Sequence, residues 1–313
     1  MIISASRRTD IPSYYSEWFF NRLTAGYALV RNPMNYHQIS YVNLSPDVVD
    51  GIVLWTKNPI PMLDSLHRLD NYTYYFQFTL TPYGKDIEPN LPSKSHYLIP
   101  AFQNLSKRVG RNRVIWRYDP IFINQTYTIE YHKTYFYQLA KRLAPFTQKC
   151  TISFLDLYRN TLRNIKPFSI HPPSPEEQLE LVTYFSEVSH RYGLQLDTCA
   201  ERNDLHALGV SHAHCIDKHL LEEIGHYQLH TPVKNSQRPF CGCFPSIDIG
   251  GYNTCQNGCV YCYANYNQKI VSNQCTLHNP LSPLIFGEVC PADTIKRRFM
   301  YSLIDSQCSF FDF

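Results

Sequence analysis

Short runs rich in Val, Ile, Thr, Tyr and Phe recur along the chain, each followed by polar residues and then by a longer amphipathic stretch. These runs predict β-strands at residues 2–5, 51–56, 74–80, 113–118, 150–154, 194–198 and, from a weaker pattern, 246–249. Apolar residues at helical spacing predict a helix over 129–143, and Ser174-Pro-Glu-Glu predicts the start of another over 174–192. Pro12 and Ser13 similarly predict a helix that runs to Leu23.

Strands that alternate with helices predict an α/β fold with a parallel sheet, and six or seven repeats indicate a full or partial (β/α) barrel. In such barrels the functional groups lie on the loops that leave the carboxyl ends of the strands. Polar residues do follow the predicted strands, at 4–10, 57–59, 117–120, 156 and 199–201. Strand ends also carry turn and capping residues, so any one of these positions has a purely structural alternative.

The composition predicts a soluble protein with a small positive charge. Hydrophobic residues make up 44% of the 313 residues and charged residues 18%, which excludes a disordered chain. A net charge of +3 permits an anionic small-molecule or nucleotide substrate without requiring nucleic acid. The chain turns polar after three residues and has no apolar run of about 20 residues, so we expect a cytoplasmic protein with no membrane partner.

The eleven cysteines change the picture most. In a chain expected in the reducing cytosol they favour metal binding over disulfides. Cys255, Cys259 and Cys262 have the spacing C-x3-C-x2-C, which lets one loop supply thiolates to three irons of a [4Fe–4S] cluster. The fourth iron can then bind S-adenosylmethionine, whose reductive cleavage gives a 5′-deoxyadenosyl radical. A structural zinc site would instead require four ligands.

This spacing resembles the signature of the radical S-adenosylmethionine superfamily, and that resemblance implies that Tyr261 lies beside the adenine of the cofactor. In most members the motif follows the first barrel strand, whereas here it begins at residue 255 behind the weak strand 246–249. The opening segment 2–10 resembles the second-strand segment, which in the superfamily contacts the methionine amino group. A circular permutation explains both observations, and it predicts that strand 246–249 lies next to strand 2–5.

Five longer segments resemble domain of unknown function family 1848, bacterial proteins whose C-terminal cysteines are radical-enzyme-like: residues 4–12, 54–59, 116–121, 241–243 and 252–265. The resemblance implies one domain, with a barrel body at 1–240 completed by a cysteine-rich cluster-binding segment at 241–313. The resemblance to radical S-adenosylmethionine enzymes also implies an electron donor such as flavodoxin or ferredoxin. Residues 56–59 and 117–120 carry a more distant similarity to spore photoproduct lyase-like enzymes, which does not extend to DNA repair.

A second group of cysteines lies outside the triplet. Cys241 and Cys243 flank a glycine just before it, and Cys199 and Cys215 lie at predicted element ends. Four thiolates from three segments suit an auxiliary [4Fe–4S] cluster or a zinc ion, with His212 or His214 as substitute ligands. The alternative is that Cys199 and Cys215 are small buried hydrophobic residues.

Eight polar residues at the predicted strand ends are candidates for holding S-adenosylmethionine and substrate: Ser6, Arg7, Arg8, Asp10, Lys57, Arg117, Asp119 and Glu201. Arginine forms bidentate contacts with carboxylates, and Asp10 could accept from an ammonium group. Lys57 and Arg117 would complete a basic pocket, while Asp119 and Glu201 would bind ribose hydroxyls or exchange a proton. The 24 tyrosines could stack nucleobases, although core packing explains most of them more simply.

The leading hypothesis is therefore a radical S-adenosylmethionine enzyme with an unknown substrate. A second is an iron–sulfur protein that senses oxidation or binds a partner without cleaving S-adenosylmethionine. A third is a barrel hydrolase or isomerase whose cysteines hold structural zinc.

Overall fold

A computed structural model describes residues 1–201, 205–231 and 241–305. The strands in chain order are β1 (Ile2–Ala5), β2 (Tyr27–Asn32), β3 (Asn35–Asn43), β4 (Gly51–Thr56), β5 (Tyr74–Thr79), β6 (Val114–Ile121), β7 (Lys149–Phe154), β8 (Gln195–Thr198), β9 (Ser211–His212), β10 (Ser246–Asp248) and β11 (Thr294–Arg297). The α-helices are α1 (Ile11–Tyr14), α2 (Ser16–Ala25), α3 (Ile99–Val109), α4 (Ile129–Leu143), α5 (Arg159–Ile165), α6 (Pro175–Arg191), α7 (Lys218–Gly225) and α8 (Gln268–Thr276).

Eight strands form one parallel sheet in the order β10-β1-β4-β5-β6-β7-β8-β9. The α/β class with a parallel sheet is therefore confirmed. The last strand of the main sheet along the chain, β10, lies beside the first, β1, with Ile2 opposite Ser246 and Ser4 opposite Asp248. The predicted adjacency of strands 246–249 and 2–5 is thus also confirmed.

All seven predicted strands are present, with ends that shift by up to three residues. Three features differ from the prediction. β9 extends the main sheet, and β2, β3 and β11 form a separate three-stranded sheet. The helix predicted to run to Leu23 is divided at Tyr15, whose backbone leaves the helical conformation while its hydroxyl donates to the Thr254 carbonyl at 2.6 Å.

The two faces of the main sheet pack into different apolar cores, as expected for strands whose side chains alternate. On one face, Ile3 and Phe76 pack with helical residues such as Phe136 and Phe185. On the other face, Ile2, Val53, Tyr75 and Ile115 pack with Ile216, Leu221 and Phe244.

The segments outside the two edges of the main sheet meet each other. The backbone N–H of Phe244, just before β10, donates to the carbonyl of Ile216, shortly after β9, at 2.9 Å. The segment after the cysteine triplet contributes α8 and β11, and β11 pairs in parallel with β3. Among the described residues no helix combines the length and apolar character needed to cross a bilayer.

Candidate functional site

A cavity of about 500 Å³ lies at the carboxyl ends of the main-sheet strands. Its walls include fifteen of the sixteen candidate residues: Ser6, Arg7, Arg8, Asp10, Lys57, Arg117, Asp119, Cys199, Cys215, Cys241, Cys243, Cys255, Cys259, Tyr261 and Cys262. Glu201 is not part of the wall; its carboxylate accepts from the Phe154 backbone N–H at 2.9 Å. The fold therefore brings residues that are distant in the chain to the wall of one cavity; Ser6 and Cys262, for example, are 256 positions apart.

The loop with the cysteine triplet follows β10 and is fixed at several points. The Asn265 side chain donates to the Cys255 carbonyl at 2.8 Å, and the Val260 N–H donates to the Ile87 carbonyl at 3.0 Å. Gly258 has φ +71°, a left-handed conformation that favours glycine. The loop is thus held in shape by the protein itself, with its three sulfurs at the cavity wall.

Backbone N–H groups point at two of these sulfurs. Burial raises the pKa of the Cys255 thiol, while the N–H of Asn257 lowers it. Burial also raises the pKa of Cys262, against hydrogen bonds from the N–H groups of Ala264 and Asn265. For Cys259, burial raises the pKa to about 12, although nearby Lys57 opposes this. Such N–H groups around buried cysteine sulfurs are a feature of iron–sulfur sites.

Tyr261 takes part in a buried ionic network beside the triplet. Its hydroxyl donates to Glu88, and the Lys57 ammonium donates to both Glu88 and the Tyr261 oxygen at 2.8 Å. Lys94 is the second cation on Glu88. Burial raises the pKa of Glu88, but the two lysines outweigh it and bring the pKa to about 2. Lys57, which was expected to complete a basic pocket, therefore already has a counter-charge in Glu88.

Asp10 connects three of the segments that surround the cavity. One carboxylate oxygen accepts from the Ser13 N–H at 3.1 Å and the Thr56 hydroxyl at 2.7 Å. The other accepts from the Lys57 N–H at 2.8 Å and the Asn257 side chain at 3.1 Å. Because four donors occupy its oxygens, Asp10 positions the loops after β1 and β4 against the cysteine loop. The structure thus gives Asp10 partners other than the cofactor ammonium group expected from the sequence.

Asp248, the last residue of β10, organises the segment after β1. Its carboxylate accepts from the hydroxyls of Ser4 at 2.9 Å and Ser6 at 2.6 Å, and from the Arg7 N–H at 2.8 Å. The guanidinium Nε atoms of Arg7 and Arg8 lie 4.0 and 3.9 Å from it, with about a quarter of each side chain exposed. These two arginines are the partly exposed cations of the wall.

The buried Arg117 pairs with the partly exposed Asp119 near the end of β6. The Nε atom of Arg117 donates to Asp119 at 2.9 Å, and its Nη1 atom donates to the sulfur of Cys215 at 3.0 Å. Burial raises the pKa of Asp119, but Arg117 outweighs this and keeps it below its usual value. Ser153 donates to the other Asp119 oxygen. This pair links the wall to the second cysteine group.

The four cysteines of that second group lie together. The sulfurs of Cys199 and Cys215 are 3.1 Å apart, and the Ile216 N–H points at the sulfur of Cys243 at 3.4 Å. The Cys215 and Cys241 side chains each form a hydrogen bond with that of Cys243. His212 and His214, the alternative ligands, are both exposed, and His214 bonds to the Gly242 carbonyl. The structure thus places the four predicted thiols along one part of the cavity wall, where each contacts at least one other.

Sequence reasoning missed several residues of the site. Glu88 lies in an irregular segment with no motif, and Asn257 is inside the cysteine loop without being a ligand. Tyr263 donates to the Arg7 carbonyl at 2.6 Å. Asp248 did carry a signal, because it lies near the end of the predicted strand 246–249, a position like those of the residues that were chosen.

Comparisons with known proteins identify the family of the chain. No curated protein shows significant similarity to the chain. Among solved structures, the chain is similar to a putative alpha-L-fucosidase from Bacteroides thetaiotaomicron VPI-5482 at 9% identity and a TM-score of 0.27, over 57% of this chain and 84% of that one. That likeness is too small to carry an argument. The family model described as domain of unknown function (DUF1848) matches residues 2–264, which include both β1 and the cysteine triplet, and the chain therefore belongs to this family.

Proposed function

We propose that this protein is a radical S-adenosylmethionine enzyme that acts on a small molecule or nucleotide. Cys255, Cys259 and Cys262 would hold a [4Fe–4S] cluster, and the cavity beside them would receive S-adenosylmethionine and substrate. The observation that carries the proposal is the pairing of β10 with β1. It brings the cysteine loop to the same end of the sheet as the polar segments that follow β1, β4 and β6.

The strand order supports a permuted barrel. Starting from β10, the sheet continues through β1 and then through the remaining strands in chain order to β9. In the radical superfamily the cysteine loop follows the first strand of such a series. Here it follows β10, which is the first strand of the main sheet in space, although β10 comes last among the main-sheet strands in the chain. A (β/α) barrel whose chain termini had been moved to between its first and second strands would have this strand order.

The residues of the loop fit an iron–sulfur cluster. Three sulfurs line one wall, and the N–H groups of Asn257, Ala264 and Asn265 are directed at two of them. Such N–H groups would tune a cluster and compensate its negative charge. When bound, the cluster supplies an electron for the cleavage of S-adenosylmethionine to methionine and a 5′-deoxyadenosyl radical, which removes hydrogen from the substrate.

The roles of the other wall residues follow from their own exposure and contacts. Arg7 and Arg8 are partly exposed cations and would bind a carboxylate or phosphate of a ligand. Asp10 holds the loops around the cavity, and the Glu88 network fixes the Tyr261 ring beside the triplet. An external donor such as flavodoxin or ferredoxin would supply the electron.

The first test is metal content after anaerobic reconstitution. The wild-type protein should be brown and contain at least about four irons per chain, and the Cys255→Ala, Cys259→Ala, Cys262→Ala triple variant should contain about four fewer. Cys290→Ser, which changes an exposed cysteine outside the cavity, is the matched control and should keep the full iron content.

Two other results would contradict the proposal. A colourless protein that contains only zinc would favour the hydrolase or isomerase hypothesis. A reconstituted cluster that yields no 5′-deoxyadenosine from S-adenosylmethionine under reducing conditions would favour an iron–sulfur sensor.

A further inference from the structure

A histidine, a cysteine and an aspartate meet beside the three-stranded sheet, outside the cavity. They are His37 on β3 and, just before β11, Cys290 and Asp293. One ligand atom from each side chain, a ring nitrogen, a sulfur and a carboxylate oxygen, lies within 4.8 Å of the other two. Within the part of the chain that the structure describes, no other group of His, Cys, Asp or Glu side chains is as compact.

A turn and a strand pairing bring the three residues together. The Asp293 N–H donates to the Cys290 carbonyl at 2.9 Å and closes a four-residue turn, in which Pro291 fixes the backbone at the second position. β11 then pairs with β3 so that the residue after Asp293 lies opposite the residue after His37. The backbone therefore sets the positions of all three residues.

The three donors suit one tetrahedral divalent ion. Zinc binds thiolate, imidazole and carboxylate at about 2.0–2.3 Å, so two ligands of one ion are about 3.3–3.8 Å apart. The Nδ1 atom of His37 is 3.1 Å from Oδ1 of Asp293, and the Cys290 thiol forms a hydrogen bond with the same carboxylate. An ion between the three atoms would replace these hydrogen bonds with small side-chain movements.

We propose that His37, Cys290 and Asp293 form a three-ligand site for a Zn²⁺ ion, with water as the fourth ligand. Thiolate and imidazole favour zinc over Mg²⁺ and Ca²⁺, which prefer oxygen ligands. A thiolate and a carboxylate together balance the charge of the ion. The His37 side chain is 58% exposed and Cys290 is exposed, which leaves room for the water. The site does not depend on the cluster of the proposed function.

Arg31 would be the outer-shell residue of this site. Its guanidinium donates to both oxygens of Asp293, at 2.8 and 3.0 Å, and also to the carbonyls of Tyr36 and Glu288. The Cys290 N–H donates to Asp293 as well, at 2.9 Å. These donors fill three of the roughly four acceptor positions of the carboxylate, and the fourth faces the imidazole. The carboxylate is therefore already oriented for an ion, as ligating carboxylates commonly are.

The ion would join two distant parts of the chain. His37 and Cys290 are 253 positions apart, and all four residues of β11 are exposed. Because the unfolded chain lacks the preformed site, zinc bound here would stabilise the pairing of β11 with β3. The segment after the cysteine triplet would thus be fixed to the three-stranded sheet.

The test is zinc binding by the full chain after anaerobic reconstitution and removal of loosely bound metal, measured by competition with a chromophoric chelator. The wild type should bind about one zinc per chain more than Cys290→Ser. His37→Ala should weaken the site by more than about 100-fold, since loss of an outer-shell partner alone costs about 10–100-fold. His219→Ala, which removes a histidine side chain that is 87% exposed, is the matched control and should keep the ion.

Zinc at the other cysteines would give a different pattern. The triple variant of the cysteine triplet and a Cys241→Ser, Cys243→Ser double variant should both keep this ion. Loss of the ion from either of them, or equal zinc binding by the wild type, Cys290→Ser and His37→Ala, would overturn the assignment. Cys290→Ser should keep the iron content of the wild type, which separates this outcome from that of the proposed function.

Alkylation of Cys290 examines the site in the wild-type protein without a cysteine variant. The thiol is exposed and should react readily in the zinc-free protein, whereas zinc should suppress the reaction because the sulfur is then a ligand. Peptide mass spectrometry identifies the modified cysteine. Equal alkylation with and without zinc, or protection by zinc that persists in His37→Ala, would contradict the proposal.

Discussion

Glu88 is a buried carboxylate between Lys57 and Lys94, and replacing it with glutamine should destabilise the protein by about 3 kcal/mol at pH 7. Its side chain is 1% exposed, and those of the two lysines are 13% and 19% exposed. The variant keeps the shape of the side chain and removes its charge. Two largely buried ammonium groups would then lack their shared counter-ion, a change that typically costs about 3–5 kcal/mol.

The pKa of Glu88 gives a second value for this stabilisation and the direction in which it changes with pH. In the folded protein it lies at about 2, below its ordinary value of 4.5, so the unfolded chain takes up the proton first as the pH falls. The stabilisation is therefore complete above about pH 4.5 and is lost as the pH falls towards 2. Each tenfold change in proton affinity is worth about 1.4 kcal/mol, which again gives about 3 kcal/mol at pH 7.

Denaturant unfolding of both proteins at a series of pH values tests this reasoning. The difference in the free energy of unfolding should be about 3 kcal/mol at pH 7 and about half of that at pH 3. Glu130→Gln is the matched control, because Glu130 is 79% exposed in its pair with Lys133 and should contribute less than about 1 kcal/mol. A difference for Glu88→Gln that is below about 1 kcal/mol, or that does not change with pH, would refute the reasoning.

Further predictions concern the residues that shape the cavity. Asp10→Asn keeps one oxygen acceptor but turns its amide N–H₂ towards the Lys57 N–H. It should therefore lower the free energy of unfolding by about 2–4 kcal/mol. Asp64→Asn is the control and should leave the free energy of unfolding unchanged, because the Asp64 side chain is 97% exposed. Equal effects of the two substitutions would contradict the role of Asp10. Gly250→Ala would place a Cβ atom 2.1 Å from the Ser6 hydroxyl and should cost about 1–3 kcal/mol, read as a lower melting temperature. An unchanged melting temperature would show that the contact between these two loops is loose.

Much of the fold could be predicted because its signals are local. Strand β4 and helix α4 have the predicted bounds, since each is a run of residues with a strong propensity and a clear apolar pattern. Strand β3 was missed because its residues 35–37 are exposed and polar, and its stability depends on pairing with β2 and the distant β11. The break at Tyr15 was missed because no local signal marks it; the hydroxyl of Tyr15 bonds to Thr254, 239 residues away in the sequence.

The candidate site likewise contains some residues that local sequence signals reveal and others that only tertiary contacts reveal. Cys255, Cys259 and Cys262 were found because their spacing lies within eight residues, and Arg117 was found because it ends a strand. The sequence could not reveal which residues pair with Lys57 and Asp10. Glu88 bonds to Lys57 and Asn257 bonds to Asp10 through tertiary contacts between irregular segments. Sequence thus identified fifteen of the residues that line the cavity, whereas the structure identified which of them already have partners. Arg7 and Arg8 are the predicted cations that keep exposed surface there.

The central claim is that the cysteine triplet supports the cleavage of S-adenosylmethionine, and the most direct test measures 5′-deoxyadenosine. The reconstituted protein would be incubated anaerobically with dithionite and S-adenosylmethionine, beside the Cys255→Ala, Cys259→Ala, Cys262→Ala variant and Cys290→Ser. We expect 5′-deoxyadenosine from the wild type and from Cys290→Ser, and none from the triple variant. Wild-type protein with a full iron content that forms no 5′-deoxyadenosine, or equal amounts from the wild type and the triple variant, would contradict it.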